Sequence, residues 1–192
     1  MSQADIDAFV ASARNNTLTP EGVTSAVVTR GISVNGRRRF LWDTALHWAV
    51  YNKRPEVVVA LMAAGADANV KNNYGHTSVL LGATQSTADI LQLLIDGGGS
   101  VNERVTEFAF TPLIALARNN CGDAAARLQV LLACPELDLD AEYFGKTAEQ
   151  CAVEKGHLEL AAVIAQERAG RERWSALRVA WVAATSASTM TF

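Results

Sequence analysis

One interval organises this chain. Thr44-Ala-Leu-His-Trp-Ala-Val, Thr77-Ser-Val-Leu-Leu-Gly-Ala, Thr111-Pro-Leu-Ile-Ala-Leu-Ala and Thr147-Ala-Glu-Gln-Cys-Ala-Val follow one another at spacings of 33, 34 and 36 residues. A second ladder keeps the same step: Gly31-Ile-Ser-Val-Asn35, Gly65-Ala-Asp-Ala-Asn69 and Gly98-Gly-Ser-Val-Asn102 stand 34 and 33 residues apart. Two independent words at one period mean a row of like units, none of which can bury its own apolar face. Stability is then shared between neighbours, and the end units have to be modified as caps.

Each word has a physical reading. The threonine hydroxyl can accept a hydrogen bond from an unpaired amide of a first helical turn, so each Thr opens a short helix. The Ala and Gly residues that follow let neighbouring helices approach closely. A second helix in each unit is predicted from apolar residues at helical spacing: Val57, Val58, Leu61 and Met62, then Ile90, Leu91, Leu94 and Ile95, then Leu128, Leu131 and Leu132. Glycine after that helix supplies the left-handed residue that ends it, and the next five to nine residues cross over as a hairpin-like finger.

These words resemble the ankyrin repeat, whose pattern is Thr-Pro-Leu-His-x-Ala-Ala, a Gly-His turn, Val-Val-x-x-Leu-Leu and Gly-Ala-Asp-x-Asn. Thr44-Ala-Leu-His47 with Gly65-Ala-Asp-Ala-Asn69 is the best copy; Thr111-Pro112-Leu113 and Gly156-His157 match elsewhere, and the resemblance spans about residues 4–166. It implies an all-α helical solenoid of about five helix-turn-helix repeats: a degenerate capping repeat over 1–36, then 37–70, 71–104, 105–140, and a closing repeat over 141–166. In the first, Thr19-Pro20-Glu21 opens a helix to about Arg30, with a partner helix over 4–13; in the last, Glu149 and Gln150 stand where Leu and His are usual. The resemblance also implies that His47 and His157 tie adjoining units together. Beyond it, Trp174, Leu177 and Trp181 fall three and four apart among arginines, which predicts an amphipathic helix over 167–184 and a loose tail over 185–192. That helix is read either as a cap on the last repeat or as a docking or membrane-surface helix.

Much chemistry is excluded. Hydrophobic residues make up 49% of the 192 and charged residues 19%, which argues against disorder. The longest apolar runs, such as 78–83, fall far short of the roughly 18 to 20 residues that span a bilayer, and the acidic amino terminus lacks the features of a secretory signal. An odd count of three cysteines, with Cys121, Cys134 and Cys151 forming no close pair, suits reduced thiols in an intracellular, cytoplasmic or nuclear protein. A formal charge of −3 argues against nucleic acid as partner, Arg37-Arg38-Arg39 being the local exception. Gly145-Lys146-Thr147 ends like a phosphate loop, but Asp140 occupies the place of the earlier glycine. Asp138, Asp140, Glu142 and Glu149 are spaced like calcium ligands, but Tyr143 stands where that loop needs glycine. No nucleophile with its base and no zinc spacing is present, so no enzyme, catalytic residue, metal or cofactor is expected.

The expected function is therefore a scaffold or adaptor that holds a protein partner, the chain being monomeric when unbound. Helical period places Trp48, Tyr51 and Asn52, then Leu81, Thr84 and Gln85, then Ala115, Arg118 and Asn119, then Cys151, Glu154 and Lys155 toward the groove; the fingers are 37–42, 72–74, 107–110 and 142–144. Aromatic and arginine side chains are the usual interface anchors, which selects Arg38, Phe40, Trp42, Trp48, Tyr51, Asn73, Tyr74, Leu81, Phe108, Phe110 and Arg118 as partner-binding candidates. Tyr74, Phe108 and Phe144 can equally pack finger on finger. Trp42 and Ala109 replace the glycine that Gly75 and Gly145 provide two places before Thr, in fingers one residue longer than the Gly75 finger, so a rebuilt turn is expected at both. Two further readings stay open: a regulatory or targeting subunit, or a portion of a longer protein with activity elsewhere, and hydroxylation of Asn69, which stands with Leu61 and Asp67 in the spacing the resemblance associates with that modification.

Overall fold

In a computed structural model of the chain, residues 2–38, 42–105, 110–119 and 122–188 are described, with side chains described as far as residue 178. Ten α-helices occur among them: α1 (Gln3–Arg14), α2 (Pro20–Thr24, continued by a π-helical turn over Ser25–Thr29), α3 (Ala45–Tyr51), α4 (Pro55–Ala63), α5 (Ser78–Gln85), α6 (Ala88–Asp96), α7 (Pro112–Arg118), α8 (Ala124–Leu132), α9 (Ala148–Glu154) and α10 (Leu158–Ser188). The helices α1, α3, α5, α7 and α9 pack side by side in that order, and α2, α4, α6, α8 and α10 form a second row behind them. The architecture is all-α, two helix layers deep, extended along one axis.

The threonine ladder caps the first row. Thr44, Thr77, Thr111 and Thr147 are in extended conformation, and their hydroxyls accept from the amides of His47, Leu80, Ile114 and Gln150 at 3.2 to 3.5 Å. The core lies between the rows: Val57, Val58, Leu61, Ile90, Leu91, Leu94, Leu128 and Leu131 are buried, while Met62, Ile95 and Leu132 are partly so. Behind the second row, Gly65 (φ +85°) and Gly98 (φ +89°) close α4 and α6 in the left-handed region.

The asparagine ladder ties successive crossovers together. Asn35 donates to the Gly65 carbonyl and accepts from the Asp67 amide; Asn69 does the same with Gly98 and Ser100, and Asn102 with Glu136 and Asp138, at 2.6 to 3.3 Å. A third ladder carries no sequence word at all. A carbonyl in the last turn of each of α1, α3, α5 and α7 is capped from the following unit: Asn52 on Ala13, Ser86 on Val50, Arg127 on Ala83 and His157 on Ala117, at 2.8 to 3.0 Å. Four residue types do one job, because each unit reaches that carbonyl from a different place: a helix end for Asn52 and Ser86, the inside of α8 for Arg127, and the turn before α10 for His157.

The end of the chain differs from the expected division. Residues 158–188 form one continuous helix, so the helix expected over 167–184 continues the second-row helix that starts at Leu158, and it runs past residue 184. Residues 189–192 and the Trp181 side chain lie outside what is described. Arg171 of this helix donates to the carbonyls of Leu132, Cys134, Pro135 and Leu137 at 2.9 to 3.3 Å. It serves where α8, followed by Ala133 and Cys134, lacks the terminating glycine of α4 and α6. Trp174 and Leu177 stay 71% and 54% exposed.

Candidate functional site

The fingers project from one edge of the first-row helices. Each is closed by a main-chain hydrogen bond: Arg38 to Asp43, Asn72 to His76, Val105 to Phe110, and Tyr143 with Lys146 in both directions. Asn72 organises the second finger, its Oδ1 accepting from the amides of Tyr74 and His76 at 3.0 Å and its Nδ2 donating to Asp43 at 2.9 Å. Gly75 is required there twice over. It has φ +77°, and a side chain would place a carbon 2.6 Å from the Val105 carbonyl oxygen.

Trp42 occupies the equivalent position of the first finger and has φ +53°. The turn expected to be rebuilt keeps the left-handed backbone of Gly75, at the cost of forcing a large residue into it. The side chain is 51% exposed, with the Arg37 guanidinium over its ring at 5.8 Å. Ala109, the other replacement, lies outside the described residues.

His47 couples a cap to a finger. Its Nδ1 accepts from the Thr44 amide at 3.1 Å, which leaves Nε2–H to donate to the His76 carbonyl at 3.0 Å. Burial holds the His47 imidazole below the usual histidine range, and burial lowers His76 as well. Gln150 reproduces half of this device, its Oε1 accepting from the Thr147 amide at 3.0 Å.

A cleft of about 270 Å³ opens between these elements, lined by Asp43, His47, Trp48, Tyr51, Asn72, Tyr74, Leu81 and Gln85. A second of about 470 Å³ shares Leu81 and Gln85 with it and continues to Phe110, Arg118 and His157. The two make one groove along the first-row helices. Trp48 and Tyr51 meet edge to face with centroids 5.7 Å apart, and Tyr51 and Tyr74 are 52% and 63% exposed at the rim. The Trp48 indole N–H is buried without a hydrogen-bond partner among the described residues.

Of the eleven candidates, the structure thus brings Trp48, Tyr51, Tyr74, Leu81, Phe110 and Arg118 to this groove. Arg38 is half-buried at the root of the first finger and Asn73 is exposed at the tip of the second. Phe40 and Phe108 lie outside the described residues. Phe110 packs finger on finger, 5.0 Å from Tyr143, whereas Tyr74 and Phe144, each 63% exposed, do not bury themselves that way. Several residues assigned to the groove by helical period face elsewhere. Ala115 and Cys151 are fully buried and Asn52 turns back to α1, whereas Thr84, though it donates to the Leu80 carbonyl, does line the second cleft. Asn69, the candidate for hydroxylation, is half-buried with both sides of its amide engaged in the crossover ladder. Sequence reasoning missed Gln85 as a chosen anchor, and it missed the burial of Arg127, which is 1% exposed. Among the described residues no three His, Cys, Asp or Glu side chains converge as metal ligands, and no helix is long and apolar enough to cross a membrane.

Comparison with known proteins agrees with this architecture. The family described as ankyrin repeats (many copies) matches residues 27–80. Neurogenic locus notch homolog protein 1 of Xenopus laevis is 26% identical over 149 residues, 77% of this chain and 6% of that protein. The human protein of the same name is 29% identical over 96 residues, 50% of this chain and 4% of its own length. The nuclear factor NF-kappa-B p105 subunit of Gallus gallus is 28% identical over 131 residues, 68% of this chain and 13% of that subunit. The chain therefore spans only a small part of these relatives. With the threonine, glycine and asparagine ladders in register, two rows of helices joined by fingers, and residues 27–80 matching the ankyrin repeats, the chain is an all-α solenoid of the ankyrin type.

Proposed function

We propose that this chain is a protein-interaction module, a scaffold or adaptor without catalytic activity or cofactor, that holds a segment of a partner protein along the groove between first-row helices and fingers. The observation that carries this is the aromatic rim. Tyr51 and Tyr74 stay more than half exposed above a cleft floored by Trp48 and Leu81, a combination of rigid contact area and a ready-made pocket that suits an interface anchor. On this reading the working units are the repeats over 37–140, flanked by capping units over 1–36 and 141–166, and α10 beyond Glu167 extends the closing cap. The module acts inside the cell and is monomeric until it meets its partner. A second reading is favoured by the small share of its relatives that the chain spans: the same groove as the targeting or regulatory part of a larger assembly.

Selection of binders from a random peptide library displayed against the folded protein tests the groove. Peptides so obtained are expected to lose about tenfold or more in affinity for Tyr51→Ala or Tyr74→Ala, equivalent to about 1.4 kcal/mol. Val59→Ala, in the second helix row and 49% exposed, serves as the control that leaves binding unchanged. Binders indifferent to both tyrosines would place the working surface elsewhere.

A further inference from the structure

The groove carries a charge pattern that the chain as a whole does not. Three guanidinium groups stand over aromatic rings at or beside it: Arg14, in the last turn of α1, over the cleft residue Trp48 at 5.4 Å; Arg37 over Trp42 of the first finger at 5.8 Å; and Arg118, which ends α7 and lines the second cleft, over Tyr143 at 5.1 Å. None of the three makes an ion pair among the described residues. The ion pairs that do form use Arg54, Lys71, Lys146, Arg168 and Arg171. Among the described residues two carboxylates lie at the groove, one held by a neutral amide and one paired with a lysine. Asp43 accepts from Asn72 at 2.9 Å on the cleft floor, and Glu154, which feels Lys146 chiefly and Arg118 weakly, is bonded to Lys146 at 2.9 Å. In a chain of formal charge −3, Arg14, Arg37 and Arg118 therefore stand at or beside the groove with no ion-pair partner among the described residues.

Their position over the rings decides what those arginines can bind. A guanidinium held near a ring by a cation–π contact still has N–H groups to donate, and less side-chain entropy left to lose. The matching group is a planar carboxylate taken by two parallel hydrogen bonds. Between the arginines the groove offers apolar anchorage: Trp48, Tyr51, Tyr74 and Leu81 in one cleft, Phe110 in the next. Resting on the groove as the docking face, we propose that its occupant is an extended acidic segment of a partner protein, with an aliphatic or aromatic side chain in the cleft under Tyr51 and Tyr74 and Asp or Glu carboxylates on the edges of Arg14, Arg37 and Arg118. Three arginines are too few for a phosphate backbone, whose binding draws on a broad basic stripe.

The same random peptide selection, followed by fluorescence anisotropy of the best binder, decides it. Selected peptides are expected to be rich in Asp and Glu around an apolar residue. Their affinity is expected to fall as salt rises, and to drop about threefold to tenfold for each of Arg14→Gln, Arg37→Gln and Arg118→Gln. Circular dichroism melts of the three variants check that the fold is retained. Neutral or basic binders, acidic binders indifferent to all three substitutions, or a single-stranded RNA oligonucleotide bound more tightly than any peptide would each overturn the proposal. Peptides that lose affinity on Tyr51→Ala but ignore the arginines would leave the groove standing and remove its acidic occupant. Peptides that ignore both would remove the two together.

Discussion

Arg171 offers the sharpest test of how the solenoid ends. Its Nη1 donates to Leu137 at 2.9 Å and Pro135 at 3.3 Å, and its Nη2 to Leu132 and Cys134, both at 3.1 Å, while its side chain is only 28% exposed. Arg171→Ala removes the shared partner of four carbonyls, two of them at the end of α8, where no glycine turns the chain back on itself. A hydrogen bond from a charged donor contributes about 1.5 to 3 kcal/mol when buried. Because water can reach part of this site and one guanidinium serves all four acceptors, the net loss is expected near 2 to 3 kcal/mol rather than their sum. The i,i+4 pair with Glu167, half-exposed on the helix surface, adds little. Arg171→Lys should recover less than half, since a compact ammonium cannot span both pairs of acceptors. Urea titration with linear extrapolation gives the magnitude, and hydrogen exchange gives the place. Protection should fall at 134–137 and along α10, and persist in α3 to α6, because stability in a repeat array couples nearest neighbours. An Arg171→Ala protein within about 0.5 kcal/mol of the parent, or one whose protection falls evenly along the chain, would refute this account of the cap.

Three further outcomes follow from the geometry. His47 is favoured in its neutral form by burial, so its folded value lies below its unfolded one; its contribution is complete above about pH 6.5 and is lost as pH falls through the depressed folded value. Stability should therefore drop on acidification below pH 6.5 by at most about 1.4 kcal/mol per pH unit for this one proton, and His47→Gln should lose that share while His76 keeps its own; an unaltered pH profile in the variant would contradict the assignment. Asn69→Ala removes both bonds across the crossover to Gly98 and Ser100 and should cost about 1 to 3 kcal/mol in urea unfolding, whereas Asn69→Asp, which keeps only the acceptor, should fall between. At the first finger, Trp42→Gly should be more stable than Trp42→Ala by about 1 kcal/mol, because glycine alone enters φ +53° without a steric cost; equal stabilities in thermal melts would mean that the turn is not held in that conformation.

The candidate site was legible in part. Trp48, Tyr51, Leu81 and Arg118 were placed on the groove by helical period counted from Thr44, Thr77 and Thr111, and the structure finds them there. The same count failed for Ala115 and Cys151. Both stand four residues after their threonine, in the same phase as Trp48 and Leu81, but their short side chains are fully covered by the neighbouring elements, and small or apolar letters give no polarity that would reveal it. Asn52 failed for another reason: it ends a helix, where an amide side chain can reach a carbonyl of the preceding unit, and no pattern within its own unit records that carbonyl.

What the sequence determined by itself was everything that repeats. Threonine caps, left-handed glycines, crossover asparagines and the apolar faces of the second helices are local demands of one unit, made again every 33 to 36 residues, so each copy corroborates the next. The tertiary structure alone decided what is done once. Asn52, Ser86, Arg127 and His157 share one task with no common letter, Trp42 takes the backbone of a glycine, and Arg171 stands in for the missing terminator of α8 from more than thirty residues away. Such contacts are set by which atoms the neighbouring unit happens to present. That is a property of the stacked solenoid and not of any single repeat.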